Sequence, residues 1–406
     1  MSNYSKLKRY QNLLKKGYIK DKFISHQIIF ENSDKIIKVS RITNLKDNFD
    51  IIFFRLLNYI CSLKIRSRYT SIIHYWIPSF NSKNIIDPRS KYFLSKKSII
   101  NQINLVRTNS LISSIYLTFF LPNVVFFKGF QKINSFYEIK KLNSSNDRCL
   151  FYEKNEREFS KNLQKFLFKK KIKKLICIDD YRVVQTLLNA TERLKIKTLA
   201  YQHGRFNQFQ VCFNGRTFDE YIVWSKFFKK KIIKINKEYK KKKIKILNFR
   251  FDKFQQKEDK DNVLYLCEQK VPINQIKSDI FILCKVLPNE KIFIRLRDRT
   301  SYPKNFFDFL NLQNVKILKE KTLSKAISNN GIKYLIAYYS TALLEVSLYN
   351  VYPIMLIKNN FHLNDYSKEN LVFKLKKLEN FLIFKNKLNS KNNKSRLTKI
   401  KKKIWS

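Results

Sequence analysis

Two stretches of this 406-residue chain combine residue types that could do chemistry with strand ends that would present them. The run Lys197-Thr198-Leu199-Ala200-Tyr201 leads directly into Gln202-His203-Gly204, setting an imidazole at a strand's carboxyl end beside a residue that permits a sharp turn. Imidazole has the proton affinity that general-base work needs at neutral pH, and a hydroxyl acceptor needs such a base. The second stretch is YYSTALLE at 338–345, where a strand ends and Ser340 suits the N-cap of the helix that follows. Amides of a first helical turn hold phosphate without any glycine. Thr341 and Glu345, four residues apart, share a helix face at about 6 Å, so a ribose diol beyond a bound phosphate would come within reach of the carboxylate. A histidine that only bonds its neighbours in the turn, and a capped helix with a surface glutamate, are the plain structural alternatives.

Elements able to position these residues follow from the hydrophobic pattern. From position 172 onward short β-branched runs alternate with longer amphipathic ones, the pattern of βαβ units and a parallel sheet. Strands are predicted at 174–178, 197–201, 220–224 and 245–248, with helices at 181–194 and 226–239. After the polar run QQKEDKD at 255–261 the alternation restarts, with strands at 262–267, 291–295, 315–318, 333–337 and 352–357 and helices at 273–286, 302–312, 323–329 and 340–349. The polar run reads as an interdomain linker. The expected domains are 1–254, 255–375 and a basic helical tail, 376–406. In 1–170 the apolar runs 50–63, 71–78 and 115–127 complete the first domain, the last as a buried element or a monotopic membrane contact. Ligands of such domains bind where strands end, which is where both candidate stretches lie.

Composition removes several other chemistries. The five glycines, at 17, 129, 204, 215 and 331, are never closer than eleven residues, so neither GxGxxG nor GxxxxGK[ST] can be written. Six cysteines form no CxxC pair and read as buried thiols, and the four histidines have no metal-ligand spacing. Asp259-Lys260-Asp261 matches a DxD pattern but lies in the linker's charge run. Lysine and arginine number 83 against 31 acids, a net charge of +52 that attracts polyanions whatever the fold, although AT-rich codon drift also enriches lysine.

Six pieces occur together in a known order: YQHG at 201–204, FDEYIVWS at 218–225, IKILNFRFD at 244–252, VLYL at 263–266, IRLRDR at 294–299 and STALLE at 340–345 followed by Pro353. In this the chain resembles GT-B glycosyltransferases of surface-polysaccharide biosynthesis, with capsule polysaccharide synthesis proteins and CDP-glycerol glycerophosphotransferases as the nearest relatives implied. The match covers residues 172–360 or so and no motif places 1–150. The resemblance implies an α/β, GT-B-like fold of two Rossmann-like domains whose parallel sheets face a central cleft. It implies a metal-independent transferase, without a cofactor, that moves a sugar from a nucleotide-activated donor to a growing surface polysaccharide or lipid-linked acceptor. His203 would be the base. Ser340 and Thr341 would hold the donor pyrophosphate and Glu345 the ribose, while Arg295, Arg297 and Arg299 would neutralise the leaving diphosphate. Gln202, Gly204 and Asn248 are further cleft candidates.

Departures from the family pattern are Arg297 in place of a second histidine, Ser225 for a glycine and Leu247 for another. They leave open an inactive nucleotide-sugar-binding homologue. A basic nucleic-acid-binding protein is the other alternative, but no RNP-like, zinc or helix-turn-helix signature appears, so no specific nucleic acid is expected. The basic runs 169–174, 229–234, 240–245 and 399–403 point to an anionic membrane surface instead, and to a cytoplasmic protein peripheral at the inner face of the cytoplasmic membrane.

Overall fold

The computed structural model describes residues 41–65, 69–76, 101–135 apart from 109 and 122, 138, 145–178, 184–202, 204, 215–247, 261–268, 271–296, 302–311, 315–320, 322–357, 366 and 369–406. The chain divides into two compact units, 1–223 with 229–246, and 224–228 with 247–406.

Every strand pair in the first unit is parallel. Its seven strands are β1 (Ser71–Trp76), β2 (Ile103–Arg107), β3 (Val124–Phe126), β4 (Lys174–Cys177), β5 (Lys197–Tyr201), β6 (Glu220–Val223) and β7 (Lys243–Ile246), in the spatial order β3-β2-β1-β4-β5-β6-β7. Inner strands such as β2 and β4 are buried almost throughout, as strands of a parallel sheet covered on both faces are. The helices are α1 (Arg41–Lys64), α2 (Leu111–Phe120), α3 (Ser145–Lys169), α4 (Val184–Ala190) and α5 (Lys226–Ile235). Phe54, Leu57 and Cys61 of α1 join Ile73, Tyr75, Val106 and Phe126 in the core. Asn58 closes the outer edge of β3, accepting from the Phe126 N–H at 2.6 Å and donating to its carbonyl at 3.0 Å. Gly129 lets the following turn approach α1 closely, since a Cβ there would lie 2.7 Å from the Phe54 carbonyl oxygen.

The second unit repeats the plan with six parallel strands, β8 (Asn262–Cys267), β9 (Ile292–Leu296), β10 (Val315–Ile317), β11 (Ile332–Ala337), β12 (Tyr352–Leu356) and β13 (Phe373–Leu375), ordered β10-β9-β8-β11-β12-β13. Helices α6 (Ile273–Val286), α7 (Lys304–Asn311) and α8 (Leu323–Asn330) connect the strands. Gly331 ends α8 at φ 54°, ψ 42°, a left-handed position at which glycine carries no steric cost.

The sequence puts the domain division after 254 and sets 376–406 apart, but the first unit ends with β7, before the polar run. The tail is not a separate body. Its helices α10 (Phe381–Leu388) and α11 (Lys391–Trp405) bury Phe381, Leu388, Leu397, Ile400 and Ile404 on the second unit. Tyr352 Oη donates to the Leu388 carbonyl at 3.0 Å, and Trp405 Nε1 to Ser347 Oγ at 3.0 Å.

Candidate functional site

In the second sheet the first strand, β8, lies beside the fourth, β11, and chain connections leave this pair in opposite directions. Ligands of open α/β sheets bind outside the carboxyl ends of such a pair. The residues following these two strands are Glu268 after β8 and Tyr338 to Thr341 after β11.

Glu268 is buried, and its carboxylate accepts the N–H of Tyr338 at 2.7 Å and that of Tyr339 at 3.2 Å. The first strand's end is thereby tied to the fourth's by charge-assisted bonds. The Tyr338 side chain is held as well: its hydroxyl donates to Asp279 of α6, which also accepts from Tyr265 Oη at 2.8 Å and Gln275 Nε2 at 2.7 Å. Burial raises the pKa of both tyrosines well above the ordinary phenol value, and the Asp279 carboxylate adds to the effect. Both phenols therefore remain donors. Main chain and side chain together fix the turn that presents Ser340 and Thr341.

Helix α9 (Ala342–Glu345) begins there and continues as a 3-10 turn over Val346–Tyr349. Ser340 is the side chain that caps it, with Oγ accepting the Ala342 N–H at 3.2 Å and its carbonyl accepting from Leu343 at 3.1 Å. The expectation of free first-turn amides thus shifts by two residues. The Ala342 and Leu343 amides are used within the turn, and among the described residues the N–H groups of Ser340 and Thr341 and the Thr341 hydroxyl are those left to meet an anion.

Glu345 is not a surface glutamate. It is partly buried, and that burial pushes its carboxyl up to about 6, with the Arg295 guanidinium pulling it back. Arg295, near the end of β9, is in turn pushed below the usual guanidinium value by burial while Glu345 and Glu320 support its charge. The structure thus brings Ser340, Thr341, Glu345 and Arg295 to one end of the second sheet. Arg297, Arg299 and Asn248 lie outside the described residues.

In the first unit His203 also lies outside the described residues, but its neighbours are placed. Gln202 is buried at the end of β5, its N–H donates to the Ile222 carbonyl at 2.9 Å, and its Nε2 donates to the Gly204 carbonyl at 2.7 Å, bracing the two sides of position 203. Asp219 belongs to the opposite end of the sheet. It accepts from the Thr198 N–H and hydroxyl, both at 2.9 Å, and clasps the starts of β5 and β6. Burial raises its carboxyl, but these bonds and Lys242 outweigh that and hold it below the usual carboxylate range. Of the DxD run only Asp261 is described. It pairs with Lys333 at 2.6 Å, at the amino end of the second sheet and away from the candidate site. Among the described residues no cluster of histidine, cysteine and acids could hold a metal ion.

Glu268 is the residue that sequence reasoning missed. Its signal is slight, one acid directly after the apolar strand NVLYLC at the point where the chain restarts.

No protein-family model and no curated protein matches the sequence. Solved structures do match in fold. The chain is similar to the calicheamicin glycosyltransferase CalG4 at a TM-score of 0.52 and 9% identity, covering 83% of this chain and 94% of that one. It is likewise similar to MurG of Acinetobacter baumannii at a TM-score of 0.50 and 10% identity, covering 83% and 94%. At such identities the likeness speaks to architecture, and the architecture is the α/β, GT-B-like one that the motif order implied.

Proposed function

We propose that this chain is a glycosyltransferase that takes a sugar unit from a nucleotide-activated donor and passes it to a growing surface polysaccharide or lipid-linked acceptor. The observation that carries the reading is the STALLE segment at the switch point of a GT-B-like second unit, with its turn pinned by Glu268 and with Arg295 and Glu345 beside it. In this reading the donor diphosphate sits on the N–H groups of Ser340 and Thr341 and the Thr341 hydroxyl, and Glu345 takes the ribose hydroxyls. Arg295, with Arg297 and Arg299, stabilises the charge that develops as the diphosphate leaves. His203 removes the proton of the acceptor hydroxyl as the sugar's anomeric carbon exchanges its bond to the donor phosphate for a bond to that oxygen. Cationic side chains and amides carry the charge, so the reaction needs no metal. A lipid-linked acceptor would be met at the inner face of the cytoplasmic membrane, and capsule assembly or a glycerophosphate transfer of the CDP-glycerol type would be the setting.

The test is a panel of nucleoside diphosphate sugars, CMP-sugars and CDP-glycerol, assayed first by thermal shift and then for turnover. A ligand of the native state at a hundredfold excess over its dissociation constant adds about 2.7 kcal/mol of apparent stability, an easily read shift. Stabilisation by one nucleotide class, followed by transfer, is expected. Stabilisation without transfer to any acceptor would identify the inactive homologue, and no stabilisation by any member would sink the reading.

A further inference from the structure

We propose that the outer face of α1 and α2 is a docking surface for an anionic lipid bilayer, seated by apolar insertion as well as by charge. Helix α1 is apolar on two opposite sides. Ile51, Phe54 and Cys61 face the core, and half a turn away Leu45, Phe49, Ile52, Leu56, Tyr59 and Leu63 form a continuous exposed stripe at spacings of four and three. Leu63 is 72% exposed. A helix that needed only to cover its own sheet would carry polar residues there.

Helix α2 turns most of its polar residues inward. Its polar residues Ser113, Ser114 and Thr118 are buried, the latter two bonding back to carbonyls one turn earlier at 2.7 and 2.8 Å. Leu117 packs in the core, but Ile112, Phe119 and Phe120 face outward, 80%, 72% and 63% exposed. The helices touch on their buried sides, Cys61 of α1 meeting Thr118 of α2 at 3.8 Å, and the outer stripes adjoin where the Lys64 ammonium, next to Leu63, lies 5.5 Å above the Phe119 ring. Isolated exposed apolar residues are ordinary, but a contiguous two-helix patch marks an interaction site.

Charge selects the occupant. Lys46 and Lys64 flank the α1 stripe on one side and Arg55 on the other, all exposed. The helix's acids Asp47 and Asp50 are drawn to Lys128, at 3.9 and 2.5 Å. At the end of α1 Lys170 donates to the carbonyls of Ser62 and Ile65, which brings the exposed Lys169, Lys171 and Lys173 to the same edge. A second copy of this chain packed face to face would bring these cations against their like. An anionic bilayer complements the whole pattern, apolar centre in the acyl boundary and cations at the headgroups. No helix among the described residues is long and apolar enough to cross a membrane, so the contact lies in the interface. That a lipid-linked acceptor is met here rests on the proposed function; the docking itself does not.

The test is co-sedimentation of the full chain with phosphatidylcholine vesicles and with phosphatidylcholine vesicles containing phosphatidylglycerol, at low and high salt. Binding to the anionic vesicles with a fraction that persists in high salt is expected. The variant F49S/L56S/F119S, its fold checked by thermal melting, should lose the salt-resistant fraction by tenfold or more, while K46Q/R55Q/K64Q should lose the preference for anionic over neutral vesicles. Nucleotide binding should be unchanged in both, and if no nucleotide binds even the wild type, the functional reading fails while the docking result stands. Three outcomes overturn the proposal: no vesicle binding by the wild type, binding fully reversed by salt, or serine variants that bind as the wild type does. A wild-type dimer abolished by F49S/L56S/F119S, without vesicle binding, would assign the face to a second copy.

Discussion

The two units share one topology, with the first strand of each lying between its second and its fourth, yet they finish their surfaces differently. The second unit is covered in large part by its own chain, although Phe281, Leu382 and Ile383 stay exposed. The sixth strand and helices α10 and α11 lay Leu375, Phe381, Leu388 and Ile404 over it, and the tyrosines Tyr334 and Tyr352, stacked at 5.6 Å, find acceptors in Asn389 and the Leu388 carbonyl. The first unit leaves α1 and α2 with apolar residues facing outward. The order that six strands of each sheet share thus dictates where the strand ends gather, not what the flanking helices show to the outside. A self-covered unit suits rigid binding of a small donor, and a unit with an unanswered apolar face suits contact with something large.

If labour divides this way, acceptor chemistry and donor binding should separate by mutation. The largest expected effect is that of His203→Ala, which should lower transfer about 100- to 10,000-fold while nucleotide affinity stays within a few fold, since a base acts on the acceptor. Steady-state rates beside calorimetric titration of the nucleotide would read both quantities. Near wild-type turnover would make the histidine structural and move the acceptor chemistry elsewhere.

A smaller effect sharpens the second unit's side of the comparison. Glu268→Gln keeps the shape but gives up the charge and turns an amide donor toward a backbone N–H. Bonds to charged groups contribute about 1.5–3 kcal/mol each, so a loss of that size in the second unit's stability is expected. Amide exchange at Tyr338 and Tyr339 should quicken and nucleotide affinity should fall, because the turn bearing Ser340 and Thr341 is no longer pinned. Unaltered exchange at both amides would show that the carboxylate is not what holds the turn.

The contrast between the units also separates what the sequence made legible from what it did not. Strands of the second unit were legible because a strand buried on both faces is an unbroken apolar run, and 262–267 matches the observed strand residue for residue. Helix α1 was seen only as the apolar run 50–63, because two apolar faces on one helix erase the period that marks an amphipathic one. The run 115–127 reads as one element, buried or in contact with a membrane, but it is two, with Val124 to Phe127 buried and the outer side of α2 exposed. Strand β7 begins two residues before its predicted start because an edge strand carries lysines on its open side, and β2 and the three-residue β13 were not predicted at all. At the site, STALLE was legible as a strand-to-helix turn. Ser340 was legible as its cap, and its hydroxyl does accept the Ala342 N–H, but that an acid seventy residues earlier would hold the turn depends on which strands become neighbours, which no local pattern encodes.

The smallest expected effect tests whether the second unit is poised for a donor even when empty. Glu345 has a folded carboxyl value of about 6 against an ordinary 4.5, raised by burial despite Arg295. Because the folded value is the higher one, the folded state binds the proton more tightly than the unfolded chain. Stability from this group is therefore full below pH 4.5 and is lost as pH rises toward 6 and beyond. The raised value corresponds to at most about 2 kcal/mol at neutral pH, less to the extent that water reaches the carboxylate. Glu345→Gln, neutral throughout, should remove this pH dependence and melt higher than the wild type at pH 7 by a few degrees, as a site held at some cost to stability would. The same variant should bind the nucleotide more weakly at pH 7, since an ionised carboxylate accepts ribose hydroxyls more strongly than an amide does. A gain in stability with no loss of affinity would leave Glu345 a buried acid outside the donor site, and would remove the ribose contact from the proposed function while leaving the phosphate turn in place.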